Sequence, residues 1–390
     1  MKFNLSYQLK NDQEKVISQS NEAVAEITDE SLSISPKFGE VILFSLHDIV
    51  EAKEKDYKIF LKLSSQEILI LSDLGYQFED FFKIIVKKSN TMAMKDRLLT
   101  EEPKKSYSEI EFIFQNDQEK IKGLGELKFY NDRFVMVPLE SEPISFFFNS
   151  ITQISDKNYQ LEIQSSENIS IIFLRLGELF EPLSKLFSDL INQQSLDIQS
   201  TLQALFPTIN PSLIRNASRL LKQGQAAQKK ELDKISLDLW LILEKKLEAM
   251  NLKPEYDYLI SLGNKEESAI GFKKEGDKEF IWFLIPVKNT LALETATEDD
   301  GGKATYFFKL DQEVSQQINN INEAMILTSF KREPIYLSEE KLHETQYQRY
   351  LISIEKMPSL RLLRELFIGR IIHQSPEQWQ KDVAELLNKK

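Results

Sequence analysis

The segment LGYQFEDFFK at residues 74–83 recurs as LGELFEPLSK at residues 176–185, a shift of 102 positions at which five residues are identical. The same register extends without a gap back to Leu32 and Phe134, which differ but are both apolar, and includes Pro36 and Pro138. Near the start of each copy, NDQEKV at residues 11–16 recurs as NDQEKI at residues 116–121. A repeat of this length predicts two copies of one structural unit.

In each copy, alternating apolar and polar residues come first, and this period of two is typical of half-buried β-strands. In the first copy the alternation covers residues 3–9, 24–27, 32–34, 41–46, 59–63 and 68–71. The period then changes to about 3.6, that of an amphipathic helix. The apolar face of this helix consists of Phe78, Phe81, Phe82, Ile85 and Val86 in the first copy and of Phe180, Leu183, Leu186, Phe187 and Leu190 in the second. We therefore predict β-rich domains at residues 1–92 and 106–192, each closed by a C-terminal helix and joined by a charged linker over residues 93–105.

This order of elements, six or seven short antiparallel strands followed by one amphipathic helix, resembles the pleckstrin-homology-like superfold over residues 1–192. In that superfold the terminal helix covers one open end of a bent β-sandwich or barrel. A five-stranded barrel with its helix elsewhere in the order is the main alternative fold. The resemblance implies a binding module and leaves the ligand open.

The charge balance disfavours partners that are rich in phosphate. The 390 residues include 61 acids and 49 bases, a formal net charge of -12, which repels nucleic-acid backbones and anionic lipid headgroups. Pleckstrin-homology domains that bind phosphoinositides carry a Lys-rich loop that typically ends in Lys/Arg-x-Arg. The corresponding loops here contain the acids Asp12, Glu14, Asp117 and Glu119 and no arginine. We therefore expect neither phosphoinositide nor membrane binding, and nucleic acid is a minor alternative.

The chain contains no cysteine, which excludes disulfides and thiolate metal sites. Residues 1–10 alternate polar and apolar side chains and lack the continuous apolar stretch of a signal peptide. These features predict a cytoplasmic protein.

The second half of the chain predicts a helical connector at residues 193–254 and an α+β domain at residues 255–390. Asn210 and Pro211 are typical of a helix start and Gly224 of a helix end, and a second helix is expected over residues 225–250. Strands are expected at residues 269–273, 280–287, 291–294 and 305–310, with a hairpin turn at residues 300–302. Helices are expected at residues 314–329, 343–369 and 376–387, and Pro358 should break or kink the second of them. The fold class of the whole chain is therefore α+β.

One basic cluster stands out in this acidic chain. It consists of Arg215, Arg219, Lys222, Lys229 and Lys230. One interpretation is a solvated helix face, and the other is a docking surface for an acidic partner or for the chain's own acidic repeats. Nucleic-acid binding through the same residues would weaken steeply with salt.

Phe147 is the second candidate for partner binding. Successive residues of a strand point to opposite faces, so Phe146 and Phe148 are expected to point inward and Phe147 outward. An exposed Phe147 would indicate an interaction site, and packing between domains is the alternative.

No segment carries a catalytic, cofactor-binding or metal-binding motif. His47, His343 and His373 lie far apart, and Tyr347 stands where a zinc-protease motif beginning at His343 would need its second histidine. Glu294 and the acids at residues 298–300 crowd one expected hairpin. A solubilising role is favoured for them, because cation loops need ordered ligand spacing.

These observations favour a non-enzymatic intracellular protein-interaction or scaffold protein that needs no cofactor. The expected partner is a protein or peptide, bound along a sheet edge or in a groove beside a closing helix. The alternatives are an enzyme with an acidic site in the C-terminal domain, using Glu294 or its neighbours, and nucleic-acid binding through the basic helix at residues 215–230. A deep pocket lined by convergent acids would favour the enzyme, and a filled domain interior would favour the scaffold.

Overall fold

The computed structural model describes residues 1–13, 15–99, 101–117, 119–165, 169–222, 224–275, 278–297, 303–328 and 331–388. The chain divides into two compact units, Met1–Leu190 and Ile191–Lys390. Both units combine antiparallel sheets with helices, which confirms the predicted α+β class. None of the described helices is both long and apolar enough to cross a membrane.

The first unit contains the two predicted repeats. In the first repeat, seven strands precede one helix: β1 (Lys2–Lys10), β2 (Val16–Ile27), β3 (Ser31–Pro36), β4 (Ile42–Ser45), β5 (Ile49–Lys55), β6 (Lys58–Leu63), β7 (Ile68–Ser72) and α1 (Phe78–Asp96). The second repeat has the same elements: β8 (Lys105–Gln115), β9 (Lys120–Phe129), β10 (Arg133–Pro138), β11 (Ile144–Phe147), β12 (Ile151–Lys157), β13 (Gln160–Ser165), β14 (Ser170–Leu174) and α2 (Phe180–Leu205). The strand orders β4-β3-β2-β1-β7-β6-β5 and β11-β10-β9-β8-β14-β13-β12 show that the two copies share one topology.

Local geometry repeats in the same register as the sequence. Tyr57 has a positive φ in the turn after β5, and Tyr159 has one in the turn after β12. The ring of Tyr57 lies edge-on against Phe78 with centroids 6.0 Å apart, and the ring of Tyr159 lies in the same way against Phe180 at 5.5 Å. The duplication of a sheet followed by a helix is therefore confirmed.

Each closing helix packs its predicted apolar face against its own sheet. Phe81 and Ile85 of α1 are buried, and so are Leu183 and Phe187 of α2. The ring of Phe81 meets that of Phe3 edge-on, with centroids 5.0 Å apart. Full burial of a side chain of this size contributes about 1.5–3 kcal/mol, so these contacts hold each helix to its sheet.

Strand β5 is absent from the sequence prediction for a physical reason. A bulge between Ile49 and Glu51 interrupts the pairing with β6. As a result, the buried residues of β5 are Ile49 and Ala52, which are three positions apart and do not alternate. A period of two therefore fails to detect this edge strand.

Helix α1 is longer than the pattern of its apolar face predicted. It continues to Asp96, so the predicted linker over residues 93–105 is reduced to residues 97–104. The helix continues because Met92, Ala93 and Met94 are buried.

The second unit contains a six-stranded antiparallel sheet and ten further helices among its described residues. Before the sheet core come α3 (Pro211–Ala217), β15 (Ala226–Gln228), α4 (Lys229–Asp233), α5 (Leu237–Ala249) and α6 (Lys253–Leu262). The remaining elements are β16 (Ala269–Glu275), β17 (Lys278–Val287), β18 (Thr290–Thr297), β19 (Ala304–Lys309), α7 (Val314–Leu327), α8 (Glu333–Tyr336), α9 (Glu339–Leu342), α10 (Gln348–Lys356), α11 (Pro358–Leu366), β20 (Phe367–Ile372) and α12 (Pro376–Asn388). The strands follow the order β15-β16-β17-β18-β19-β20.

The two faces of this sheet pack against different helices. One face, with Phe283 and Phe307, joins α5, α6 and α12 in a single apolar core. The other face carries Tyr306 and Arg370, which contact Tyr336 of α8. Side chains next to each other along a strand therefore enter different environments.

The four strands and the first and last helices predicted for the C-terminal domain are confirmed. The single helix predicted over residues 225–250 is wrong, because β15, α4 and α5 take its place. Strand β15 pairs with β16, and the Ser236 side chain caps α5 by accepting a hydrogen bond from the backbone N–H of Asp238. The segment at residues 193–254 thus supplies one strand of the sheet in the segment that follows it, and the predicted domain boundaries stay predictions.

The helix predicted over residues 343–369 breaks at Pro358, as expected, into α10 and α11. Its last part is wrong, since Phe367–Ile372 forms β20 and pairs with β19. This segment reads FIGRII, and β-branched isoleucine favours strands where a neighbouring edge is available. The turn expected at residues 300–302 lies outside the described residues.

Candidate functional site

The outer face of β10, in the second repeat, is covered by the end of α1. Strand β10 is buried along its whole length, whereas its counterpart β3 alternates between buried and partly exposed residues. Val135 and Val137 form an apolar cluster with Tyr130 and with Met94 of α1. This face of the second repeat is therefore a docking surface that the first repeat occupies.

Polar contacts flank this apolar cluster. The Asn90 side-chain amide donates to the carbonyl oxygen of Pro138 at 2.9 Å, and Arg97 Nη2 donates to Glu142 Oε2 at 2.6 Å. Asn90, Met94 and Arg97 occupy positions i, i+4 and i+7, which share one face of a helix. The end of α1 and its C-cap residue Arg97 thus dock on β10 through a side-chain amide, an apolar side chain and a guanidinium.

The equivalent face of the first repeat is open. Strand pairing puts Leu43 of β4 next to Ser33 of β3, on the side of the sheet that points away from the core. Exposed apolar side chains cluster here, and Phe38 and Leu43 are 85% and 69% exposed. Such a cluster marks an interaction surface. We call this surface the open face; it is formed by Val24, Phe38, Glu40, Val41 and Leu43.

Glu40 places a negative charge on the open face, and the duplication shows what an acid at this position can bind. In the register of the repeat, Glu40 corresponds to Glu142 of the second repeat, and Glu142 forms an ion pair with Arg97. Glu40 is exposed. The acid that anchors α1 on one repeat is thus present and accessible on the other.

Phe147 points away from the core, as the alternation predicted. Phe146 and Phe148 are buried, and Phe147 is half-buried. The guanidinium carbon of Arg133, on the neighbouring strand, lies 4.2 Å from the centroid of the Phe147 ring. Much of this aromatic face is therefore covered by a side chain of its own repeat.

The predicted basic cluster begins on the short helix α3. Arg215 and Arg219 are exposed, so they present charge to solvent. Lys222 is partly buried, and burial lowers the pKa of its amine.

The other two predicted bases lie on α4, and contacts within the unit engage them. Lys229 forms ion pairs with Asp233 and Glu266. The ammonium of Lys230 donates to Ser315 Oγ at 3.3 Å. Two of the five predicted bases, both arginines, therefore remain as exposed charge, which weakens the case for nucleic-acid binding here.

A buried acid–histidine network lies on the α6 and α12 side of the six-stranded sheet. Glu294 of β18 stands opposite Thr305 of β19, and the Thr305 hydroxyl donates to the Glu294 carboxylate. His373, directly after β20, places Nε2 3.0 Å from Glu294 Oε2 and Nδ1 3.4 Å from Glu255 Oε1. Trp379 stacks on His373 with ring centroids 5.1 Å apart, and its indole N–H donates to Thr305 Oγ1 at 2.8 Å. These contacts join three strands and two helices.

Burial and hydrogen bonding perturb the ionisation of this network. Burial raises the pKa of Glu294, which is fully inaccessible to solvent. Burial alone would lower the pKa of His373, but hydrogen bonds with Glu255 and Glu294 outweigh it and raise the pKa to about 9. Burial opposes ionisation of Glu255, yet the hydrogen bond with His373 and the charge of Lys303 keep its pKa lowered. The contacts with Glu255 and Glu294 therefore favour the protonated form of His373.

A histidine in contact with a carboxylate has the geometry of a general acid–base pair, and perturbed pKa values mark candidate sites. However, the Glu294 carboxylate has no solvent access, so a substrate cannot reach it in this conformation. Both ring nitrogens of His373 face carboxyl oxygens of Glu255 and Glu294, so both are already engaged within the network. Among the described residues, no group of three acidic or histidine side chains is arranged to hold a metal ion.

The sequence prediction for Glu294 was wrong. It placed this acid with residues 298–300 at a solubilising hairpin tip, whereas Glu294 lies inside the sheet and residues 298–300 lie outside the described residues. His373 and Glu294 are 79 positions apart, so no local motif connects them. A signal was present, because Glu294 is the one acid on the inward side of an otherwise apolar strand, where a charge needs a partner.

No protein-family model matches the chain, and a search of curated proteins found no match.

Proposed function

We propose that this chain is a non-enzymatic intracellular interaction protein built on tandem pleckstrin-homology-like domains, and that its open face binds a helical segment of a partner protein. The strand order, with the first and seventh strands adjacent and a helix after the seventh, supports this fold assignment. The observation that carries the functional proposal is that the equivalent face of the second repeat already holds helix α1.

Duplicated domains inherit equivalent surfaces, which then diverge. Ser33 and Ser35 stand where the second repeat has Val135 and Val137, so the middle of the open face is more polar. The apolar contact surface is instead displaced to the edge of the sheet, where Leu43 is exposed. The open face therefore suits a helix that is shifted toward the edge strand β4, compared with the position of α1 on the second repeat.

The mode of docking of α1 defines the expected partner. Its helix should carry an apolar residue three positions before a basic residue, as Met94 precedes Arg97, with a hydrogen-bonding side chain one turn earlier. The basic residue would pair with Glu40, while apolar burial would supply most of the affinity, since an exposed ion pair contributes about 0–1 kcal/mol. Because α1 occupies the equivalent face of the second repeat, we expect one partner helix per chain.

Site-specific photo-crosslinking tests where a partner binds. A photoreactive residue would replace Leu43 in the full chain, and a matched chain would carry it at Tyr76, which is fully exposed. In an extract of the source cells, we expect a discrete adduct from position 43 and none from position 76. The same adducts from both positions, or none from either, would refute the open face as a binding site.

A peptide that copies α1, residues 86–97, tests the charge pairing in a defined system. We expect it to bind the full chain and to lose affinity for the Glu40→Lys variant. A peptide with Arg97→Glu should bind that variant better than it binds the parent chain. Failure of this charge exchange would show that Glu40 does not guide the partner.

A further inference from the structure

A recess opens on the α8 side of the six-stranded sheet, near its β20 edge. Its volume of about 440 Å³ lies in the range of small-molecule sites, about 300–1,000 Å³. The ends of β19 and β20, helix α8 and the two residues before α8 form its walls. We call it the basic recess; its characteristic side chains are Lys303, Tyr306, Lys331, Arg332, Tyr336 and Arg370.

The charge of the basic recess is opposite to that of the chain. Among the described residues, its lining contains four cationic side chains and one carboxylate, that of Glu333, while the whole chain has a net charge of -12. Lys303 is also engaged beside the recess, since it donates to the Asn251 carbonyl oxygen and lies 3.7 Å from Glu255. A concave site with this excess of positive charge attracts anions locally.

Aromatic rings hold the two arginines of the recess. The guanidinium carbon of Arg370 lies 3.9 Å from the centroid of the Tyr336 ring. That of Arg332 lies 5.4 Å from the Tyr306 ring, and Arg332 donates to the Thr295 hydroxyl. The two tyrosine rings are 6.0 Å apart, so both guanidinium groups belong to one cluster. A guanidinium stacked through its face keeps its N–H edge for hydrogen bonds in a defined plane.

We propose that the basic recess binds the phosphate of a phosphorylated small molecule. Arg332 and Arg370 would each donate to phosphate oxygens, and Lys331 would add a point charge. A single carboxylate ligand would neutralise one of these cations, whereas a di- or polyanionic phosphate matches several of them. The volume leaves room beyond the phosphate for a nucleoside or a sugar. This site lies in the second unit and is independent of the open face.

Isothermal titration calorimetry with the full chain tests this proposal, using pyrophosphate, ATP and uncharged adenosine as probes. We expect pyrophosphate and ATP to bind with affinities that fall as the salt concentration rises. Tighter binding of ATP than of pyrophosphate would support a nucleoside contact, and equal binding would support recognition of the phosphate alone. Adenosine that binds as well as ATP, or no binding by either phosphate, would overturn the proposal.

Two matched variants separate the recess from general electrostatics. Arg332→Gln combined with Arg370→Gln should weaken binding of pyrophosphate about tenfold or more, because two charge-assisted hydrogen-bonding groups are lost. Arg215→Gln combined with Arg219→Gln removes the same charge from exposed positions elsewhere in the unit and should leave the affinity unchanged. Arg370→Lys keeps the charge without the planar fork and should cause a smaller loss. Equal losses in the two double variants would refute binding at the recess, and tryptophan fluorescence would verify that each variant is folded.

Discussion

The His373→Gln variant tests whether the acid–histidine network stabilises the second unit. The ordinary pKa of histidine is 6.5, and in the folded chain that of His373 is raised to about 9. Between these values the folded state binds the proton more tightly than the unfolded state does. The contribution of His373 to the free energy of unfolding is therefore fully present below pH 6.5 and is lost as the pH rises through 9. The raised pKa of Glu294 acts in the same direction, while Glu255, with a lowered pKa, stays ionised throughout this window.

The size of the effect follows from the shift. A pKa shift of about 2.5 units at about 1.36 kcal/mol per unit corresponds to at most about 3 kcal/mol, because solvent screens part of the interaction of the His373 side chain, which is 15% exposed. A typical domain has a free energy of unfolding of about 5–15 kcal/mol, so the loss is a large fraction of the total. With a urea dependence of about 2 kcal/mol per molar, the unfolding midpoint of the parent chain should fall by about 1.5 M between pH 6 and pH 10. In His373→Gln the part of this decline that His373 contributes should be lost, whereas Glu294, which loses the partner that lowers its pKa, keeps its own contribution.

Tryptophan fluorescence is a selective probe for this experiment. The three tryptophans, Trp240, Trp282 and Trp379, all lie in the second unit, so urea unfolding followed by their emission reports on that unit. Midpoints, and not intensities, should be compared, because Trp379 stacks on His373. His343→Gln removes an exposed histidine of the same unit and should behave like the parent chain. A parent midpoint that is flat between pH 6 and pH 10, or a decline that is equally steep in His373→Gln, would refute the reasoning.

Two further substitutions, one in each unit, test how that unit packs. A Cβ on Gly271 would come within 2.2 Å of Trp282 ring atoms. Gly271→Ala should therefore cost about 1–3 kcal/mol by the same fluorescence midpoint. Gly369→Ala, where the new Cβ meets only a leucine methyl group at 3.3 Å, should cost less, and an equal loss would contradict this explanation. Arg97→Glu should weaken the contact between the repeats by about 1 kcal/mol, and adding Glu142→Arg should restore it. Amide hydrogen exchange of β10 measures this contact, and equal exchange in the single and double variants would show that the ion pair does not contribute.

The sequence contains a signal for the contact between the repeats, but a search for alternating strands does not detect it. At the same register, β3 reads SLSISP and β10 reads RFVMVP. A strand with one buried face alternates, whereas a strand that is apolar on both faces is buried on both. The comparison of the two copies therefore predicts that the outer face of the second copy alone is covered. That Met94 covers it is a fact of the tertiary structure.

The basic cluster is the opposite case, because the sequence pattern predicted more exposed positive charge than the structure has. A single helix over residues 225–250 would have presented its lysines to solvent, but β15 redirects the chain into the sheet. Lys229 consequently meets Glu266, 37 positions away. Basic residues that are close in the sequence therefore do not form one exposed surface, because some of them bind partners that local periodicity does not reveal.

The sequence by itself determined the duplication, six of the seven strands and the closing helix that follows them, and the inward direction of Phe146 and Phe148. These features depend on side-chain direction along a strand or helix, which repeats over two to four residues and can be read locally. Only the tertiary structure decided that His373 meets Glu294 and that Arg332 and Arg370 converge on two tyrosines. Such meetings depend on which strands pair and which helices cover them, and that choice is made by the packing of a whole unit at once.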